Sequence, residues 1–425
     1  MREKILRDPV HGSLPIPFPV LLDLIDTPEF QRLRNIRQLG MCSTTFHGAE
    51  HSRFQHVLGV MWLMHRVLER WHLRGMASLS EEERHSACAA AMLHDVGHGP
   101  FSHALERVFS GVDHETLGHR IIRERLSPVL ERHGLKAETV VAMLEGTHPR
   151  PVFHELLASQ LDVDRMDYLL RDSLYTGVKY GLFDLERILH TLVPLQDPRS
   201  GLVAALDLKG VDAVEEFLFS RYFMQWQVYR HRTVRSAEVL LRTVLERARH
   251  TFEVDPGSLH IPPNLRFLFQ GGQPDSPAFL DAFLDLDDFD LFHAIKTWRG
   301  SSDPVLADLS VRFVCRRPYK VLLHPGPGPA FEAVRALVQD RFGPAWPYYL
   351  REDAPEDSGW LGETRLPIRV HLGDGRWEEF SHRTRTDAVL ALAKTVRSDY
   401  LMLPPECRGR AVELLNDPGL VSSPG

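Results

Sequence analysis

Cysteine is scarce in this chain: Cys42, Cys88, Cys315 and Cys407 are the only four in 425 residues, and no two form a C-x-x-C pair. That suits reduced thiols in a cytosol better than a disulfide framework or a cysteine zinc site. Long apolar runs are also missing. The opening "MREKILRDPVHG" has no apolar signal core, and no later segment is long and apolar enough to span a bilayer, so a cytoplasmic protein with no membrane partner is expected. Positive charge is in deficit. A net charge of −7 excludes a chain-wide nucleic-acid binder but leaves room for a local basic pocket that takes a small anion. There is no internal repeat and no low-complexity tract. What the chain does have, beside an ordinary 43% hydrophobic composition, is histidine: 23 residues, many of them between His47 and His154. Histidine is the commonest metal ligand and titrates near neutrality.

From Thr27 to about Leu245 the apolar spacing is helical. "FQRLRNIRQLG" reads as a helix stopping at Gly40, and "FQHVLGVMWLMHRVLERW" as one running from Phe54 to Trp71. "SLSEEERHSACAAAMLHD" opens with Ser80 three residues before Glu83, a capping box, and terminates by Gly97 and Gly99. "HELLASQLDVDRMDYLLRDS" reads as a further helix. "VDAVEEFLFSRYFMQWQVYRHRTVRSAEVLLRTVLERA" reads as one or two long ones. The texture then changes to Pro/Gly-rich breaks, followed by strands at "YKVLLH" and "IRVHLGDGRWEEF", whose Gly-Asp-Gly centre is a hairpin turn. The expected architecture is mainly α: a helical core over residues 1–250, then a smaller α+β lobe over 251–425 of unassigned function.

At residues 93–103 the chain reads "LHDVGHGPFSH", crowding histidines and an aspartate where an apolar helix runs out. This is either a solvated polar loop or a metal site with spare acid–base groups. His94 and Asp95 point about 100° apart, so both can touch one ion lying between them. Further ligands must come from other helices. His56 and Asp164 each lie on an otherwise apolar helix face. A lone histidine there is usually a satisfied core residue, but an unpaired buried carboxylate is costly.

Together these residues form an ordered H…HD…D pattern with long flanks: "RDPVHG", "IDTPEFQRLRNIRQLG", "HSRFQHVLGV", "HDVGHGPFSH", "DVDRMDYLLRD" and "VYRHR". Over about half its length the chain resembles the HD-domain phosphohydrolases, and most closely the deoxynucleoside triphosphate triphosphohydrolases, a group that includes the SAM-and-HD-domain enzymes. No SAM domain is expected before Lys4. The resemblance implies an HD-domain helical core with His56, His94, Asp95 and Asp164 as metal ligands. Imidazoles and carboxylates suit Fe, Mn, Zn or Ni and do not choose among them; Mg would accompany the triphosphate. It also implies attack at the α-phosphorus, releasing a deoxynucleoside and inorganic triphosphate. His103 would then protonate the leaving 5′ oxygen, with Glu106 orienting it, and His98 and His114 would contact phosphate.

The resemblance further places Arg53, Arg165, Arg221 and Tyr168 at the phosphates, Gln38 and Leu39 at the sugar, Asp172 hydrogen-bonding near it, and Tyr229 closing over it. A solvated helix face or a structural ion pair is the alternative for any one of these arginines. Lys4, Asp26, Gln31 and Arg34 match positions that bind a guanine nucleotide effector (GTP or dGTP) between subunits, which implies a dimer or tetramer. Asp26 can accept from guanine N1 and N2 while Arg34 donates to O6; surface charges at a helix start are the competing explanation. Two other functions stand beside dNTP hydrolysis. One is an HD phosphodiesterase or phosphatase acting on another nucleotide or on single-stranded nucleic acid. The other is a nucleotide-sensing protein whose hydrolysis is incidental.

Overall fold

Three helices form the centre of the molecule, and their sequences say why they meet. The segment after Ser52 becomes the helix Arg53–Leu73, whose buried residues, from Phe54 to Trp71, lie on more than one face. It is therefore enclosed by neighbours on several sides. On one side runs Glu81–Leu93, started by the expected capping box: Ser80 Oγ accepts from Glu83 N at 3.1 Å and Glu83 Oε2 accepts from Ser80 N at 2.8 Å. Ala87 and Ala89 to Ala91 are fully buried there, and their small side chains allow close approach. On another side runs Val163–Thr176. The computed structural model describes residues 4–101, 113–357, 366–373, 375–392, 396–418 and 420.

Around this centre the N-terminal hairpin pairs Ile5–Asp8 with Gly12–Pro15, and Asp8 Oδ1 ties its turn by accepting from Val10 N and His11 N, both at 2.9 Å. The helices Val211–Met224 and Arg232–Val254 complete the helical layer, joined through a π-helical turn at Gln225–Tyr229. The fold is mainly α with small sheets. No described helix is long and apolar enough to cross a membrane.

Local expectation and structure part at three places. The helix expected to reach Gly40 is one turn, Pro28–Gln31, followed by a 3-10 turn, Arg32–Asn35. Beyond it the backbone extends because its groups bond to a neighbouring segment instead: Gln38 N donates to His51 O and Arg53 N to Ile36 O. The single helix expected over "HELLASQLDVDRMDYLLRDS" is two, Val152–Leu157 and Val163–Thr176. Asp162 interrupts it, its carboxylate accepting from Ser159 N at 2.9 Å and Arg165 N at 2.7 Å, which caps the second helix. Strands also occur inside the helical half. Leu192–Asp197 and Gly201–Asp207 form an antiparallel hairpin that the sequence reading passed over.

That hairpin also joins the two halves of the chain. Arg369–Gly373 pairs in parallel with Gly201–Asp207, and Arg376–Glu379 extends the sheet. Glu155, buried, accepts from Ala204 N at 2.8 Å and from Arg369 Nη1 at 2.9 Å. A second sheet has Tyr400–Leu403 antiparallel between Lys320–Leu323 and Arg351–Asp353. Residue 250 itself falls within the helix Arg232–Val254, and one contiguous apolar core runs from Leu14 to Ala411.

Gly59 sets how closely Arg53–Leu73 meets Val163–Thr176. A Cβ there would lie 1.8 Å from Asp167 Oδ1 and 2.6 Å from Arg171 Nη2. In an unobstructed helix, alanine is favoured over glycine by about 1 kcal/mol. Gly59→Ala is expected to reverse that sign and destabilise by about 1–3 kcal/mol in urea unfolding. A stabilised variant would mean that this crossing is not tightly packed.

Candidate active site

Four side chains converge where Arg53–Leu73, the end of Glu81–Leu93 and the start of Val163–Thr176 meet. His56 Nε2 lies 2.9 Å from Asp164 Oδ1 and 3.9 Å from Asp95 Oδ2. His94 Nε2 lies 3.4 Å from both Asp95 Oδ1 and Asp164 Oδ1. One donor atom each from His56, His94 and Asp95 falls within 4.8 Å of the others. The two imidazole rings meet edge-on at 5.3 Å.

Tautomers decide whether this cluster suits a cation. His94 Nδ1 is 2.8 Å from Ala91 O, a carbonyl that can only accept, so the ring proton is on Nδ1 and Nε2 carries a lone pair. That Nε2 is buried and makes no hydrogen bond among the described residues. His56 is set the same way: Nδ1 is 2.8 Å from Asp167 Oδ2, leaving Nε2 to face Asp164. Two imidazole nitrogens and two carboxylates aimed at one another fit a divalent metal ion, which would replace the proton that His56 Nε2 shares with Asp164.

The carboxylates of the cluster favour positive charge at this place. Burial alone would lower the pKa of His56, but hydrogen bonds to Asp164 and Asp167 lift it to about 10. Burial opposes ionisation of Asp95, yet Arg53 and His94 hold it well below the usual carboxylate range. Arg53 donates directly to Asp95 Oδ2. His98, 3.3 Å from Asp95 Oδ1, is pushed down to about 3 by burial and by Arg53, so its ring is neutral at physiological pH. It stacks on His114 with ring centroids 3.9 Å apart. Gly97 permits this approach, because a Cβ there would lie 2.0 Å from His114 O.

A row of further polar groups leads away from the cluster along Val163–Thr176. Asp164, Tyr168 and Asp172 recur every four residues and so share one face of that helix. Tyr168 lies 6.4 Å from the His56 ring and 6.1 Å from Tyr229, between centroids. Burial pushes the Tyr168 phenol up to about 12, while the charges of Arg165 and Arg221 act in the opposite direction. Both arginines therefore stand near it. Arg165 pairs with Asp162, and Arg221 Nη1 donates to Gln160 Oε1 at 2.7 Å. Tyr229 Oη donates to Asp172 Oδ2 at 2.8 Å, and Asp172 Oδ1 is 2.7 Å from His51 Nε2. Gln38 is tied to this end through its bond to His51 O, and its side-chain oxygen is buried without a partner among the described residues. Leu39 packs half-buried against the core.

Of the expected effector residues, Gln31 and Arg34 meet each other. Gln31 Nε2 donates to Ile25 O at 2.8 Å, beside exposed Asp26, and its Oε1 accepts from Arg34 Nε at 2.8 Å. Arg34 lies 3.5 Å above the Phe54 ring, and Lys4 is exposed. His103 and Glu106 lie outside the described residues.

Sequence reading gave no role to the groups that hold the ligands. Asp167 is fully buried. It takes Nε and Nη2 of Arg171 at 2.9 Å each, His11 Nε2 at 2.7 Å and His56 Nδ1 at 2.8 Å. Arg171 Nη1 in turn reaches Asp8 Oδ2 at 2.8 Å. A signal was present: Asp167 and Arg171 stand four apart in an apolar helix, where neither charge is tolerable alone.

Comparison with known proteins places this geometry. The HD domain family matches residues 53–172 and the HD associated region matches residues 183–261. YwfO, an uncharacterized protein of Bacillus subtilis, is 36% identical over 416 residues, 95% of this chain and 92% of its own. The crystal structure of a phosphohydrolase from Bacteroides thetaiotaomicron superposes with a TM-score of 0.85 at 30% identity, covering 95% of this chain and 100% of that one. The chain belongs to the HD-domain family of phosphohydrolases. Within the family it is also similar to the deoxynucleoside triphosphate triphosphohydrolase SAMHD1 homolog of Dictyostelium discoideum, at 31% identity over 256 residues. There it covers 56% of this chain but 48% of the relative, so the match spans about half of that protein.

As an HD phosphohydrolase, this protein should depend on Asp167 for the orientation of His56. Asp167→Asn is expected to weaken Mn²⁺ binding roughly ten- to a hundredfold in calorimetric titration, and Asp95→Ala to remove it. Wild-type affinity in Asp167→Asn would show that this orientation is not needed.

Proposed function

We propose that this protein hydrolyses deoxynucleoside triphosphates to a deoxynucleoside and inorganic triphosphate. One observation carries the reading: along a single helix face the order is a metal-type ligand, Asp164; a phenol near two arginines, Tyr168; then a carboxylate, Asp172, bound to Tyr229. Phosphate and sugar of one nucleotide fit that order. The similarity to proteins named deoxynucleoside triphosphate triphosphohydrolases supports it.

His56, His94, Asp95 and Asp164 would hold a divalent ion, with Fe, Mn, Zn or Ni all compatible with the donor set. Such an ion supplies Lewis-acid polarisation of a phosphoryl oxygen and a bound water of lowered pKa. The chain's own residues do the rest. Arg165, Arg221 and Tyr168 bind the phosphate oxygens, Mg accompanying the triphosphate. Arg53, against Asp95, adds positive charge beside the reacting phosphorus. Neutral His98, with His114 stacked on it, donates a hydrogen bond to phosphate. Water adds to the α-phosphorus, the bond to the 5′ oxygen breaks, and His103, oriented by Glu106, gives that oxygen its proton. At the other end Gln38 and Leu39 face the sugar. Tyr229, pinned by Asp172, leaves little space for a 2′ hydroxyl.

Regulation belongs to the same reading. Lys4, Asp26, Gln31 and Arg34 form a guanine nucleotide site, and GTP or dGTP bound there favours an assembled dimer or tetramer. The side chains of Gln31 and Arg34 are already engaged with each other, and the Arg34 guanidinium lies over the Phe54 ring.

Purified protein incubated with each dNTP and NTP, with Mn²⁺, Mg²⁺ or Fe²⁺, should yield deoxynucleoside plus triphosphate on ion-pair chromatography. Monophosphate or orthophosphate would instead identify an HD phosphodiesterase or phosphatase. Binding without turnover under every metal would favour a nucleotide sensor. Added GTP should raise the rate, and Arg34→Ala should lose that stimulation. Equal rates with and without guanine nucleotide would remove the effector site.

A further inference from the structure

The helix Asp288–Trp298 belongs to the half of the chain beyond the HD associated region, yet its first residue reaches the active-site loop. Asp288 is 3% exposed. Its Oδ1 accepts from Phe101 N at 2.7 Å, and its Oδ2 accepts from Arg37 N at 3.1 Å. Next to it, Asp287 Oδ2 accepts from Asn35 Nδ2 at 2.8 Å. Two consecutive carboxylates thus grip two segments that are more than 180 residues away in sequence.

The Phe101 end of the contact is unusual. Phe101 has φ 48°, in the left-handed region that a bulky residue with a Cβ avoids unless its surroundings impose it. It closes the stretch that began at His94 and holds Asp95 and His98. Two outside side chains hold the backbone of that stretch among the described residues: the Arg32 guanidinium, donating to His98 O at 2.8 and 2.9 Å, and Asp288. Burial pushes the Asp288 carboxyl up to about 6, opposed by the two backbone N–H groups and by Arg37. It is ionised at neutral pH, and both oxygens are then acceptors.

We infer that Asp288 is a positioning residue for hydrolysis: by holding the Phe101 amide it fixes the backbone that places His98 against Asp95. A carboxylate suits this task because two N–H donors converge on two oxygens. Asparagine keeps one acceptor and turns a donor toward the other amide. The inference rests on the phosphohydrolase chemistry of the HD site, and its structural part does not depend on which phosphoester is cleaved.

The test pairs amide exchange with kinetics on Asp288→Ala and Asp288→Asn. In the wild type, the Phe101 amide should exchange slowly, and in Asp288→Ala about ten- to a hundredfold faster. With dATP and Mn²⁺, Asp288→Ala should lower kcat on the order of tenfold or more while KM and Mn²⁺ affinity stay within about twofold. Asp288→Asn, keeping the Phe101 acceptor, should recover much of both losses. Rapid exchange of Phe101 in the wild type would overturn the inference whatever the variants do. So would unchanged exchange and kcat in Asp288→Ala, or equal losses in the two variants. If Asp288→Ala does not fold, Asp288→Asn decides, with intermediate exchange and kcat expected and wild-type values of both contrary. If the wild type cleaves no dNTP, the substrate assignment fails separately, and the exchange comparison decides the role of Asp288.

Discussion

A carboxylate with no exposure to water, Asp167, is the constraint on which the site depends. Its charge is tolerable because Arg171 neutralises it through two hydrogen bonds and because His11 and His56 fill its remaining acceptor positions. Burial by itself would favour the protonated acid, but these partners hold it well below the ordinary carboxylate range. Everything around it follows. His56 is locked with one nitrogen turned inward, Gly59 must lack a side chain, and the N-terminal hairpin is drawn onto the core by Asp8 and His11. The imidazole of a candidate metal ligand is thus oriented by the same charges that join the hairpin to two central helices.

Much of this was legible in the sequence, for physical reasons that differ by residue. The capping box at Ser80 and the long apolar helix after Ser52 are local signals, and the structure realises both. His94 and Asp95 sit together because they are adjacent, whereas His56 and Asp164 needed a family pattern to bring them in. What the sequence hid is non-local. No local pattern shows that Asp288 meets Phe101, or that Glu155 meets Arg369, because each pair is set by how distant elements pack. The break at Asp162 was hidden by competition: the apolar spacing continues on both sides, and a side-chain cap outweighs it. The strands Leu192–Asp197 and Gly201–Asp207 are short, and helices surround them in sequence.

The second half of the chain gains meaning from these contacts. It supplies two strands to the sheet begun by Gly201–Asp207, neutralises Glu155 with Arg369, and reaches the loop after His94 through Asp288. A half that shares its core and its sheet with the HD region cannot be displaced without disturbing the residues near His98.

The most direct measurement of the central claim is the fate of the oxygen from water. Hydrolysis of dATP in H₂¹⁸O, read by mass spectrometry of both products, should place the label in inorganic triphosphate and none in deoxyadenosine, as attack at the α-phosphorus requires. Label in the nucleoside, or labelled orthophosphate in place of triphosphate, would contradict the account.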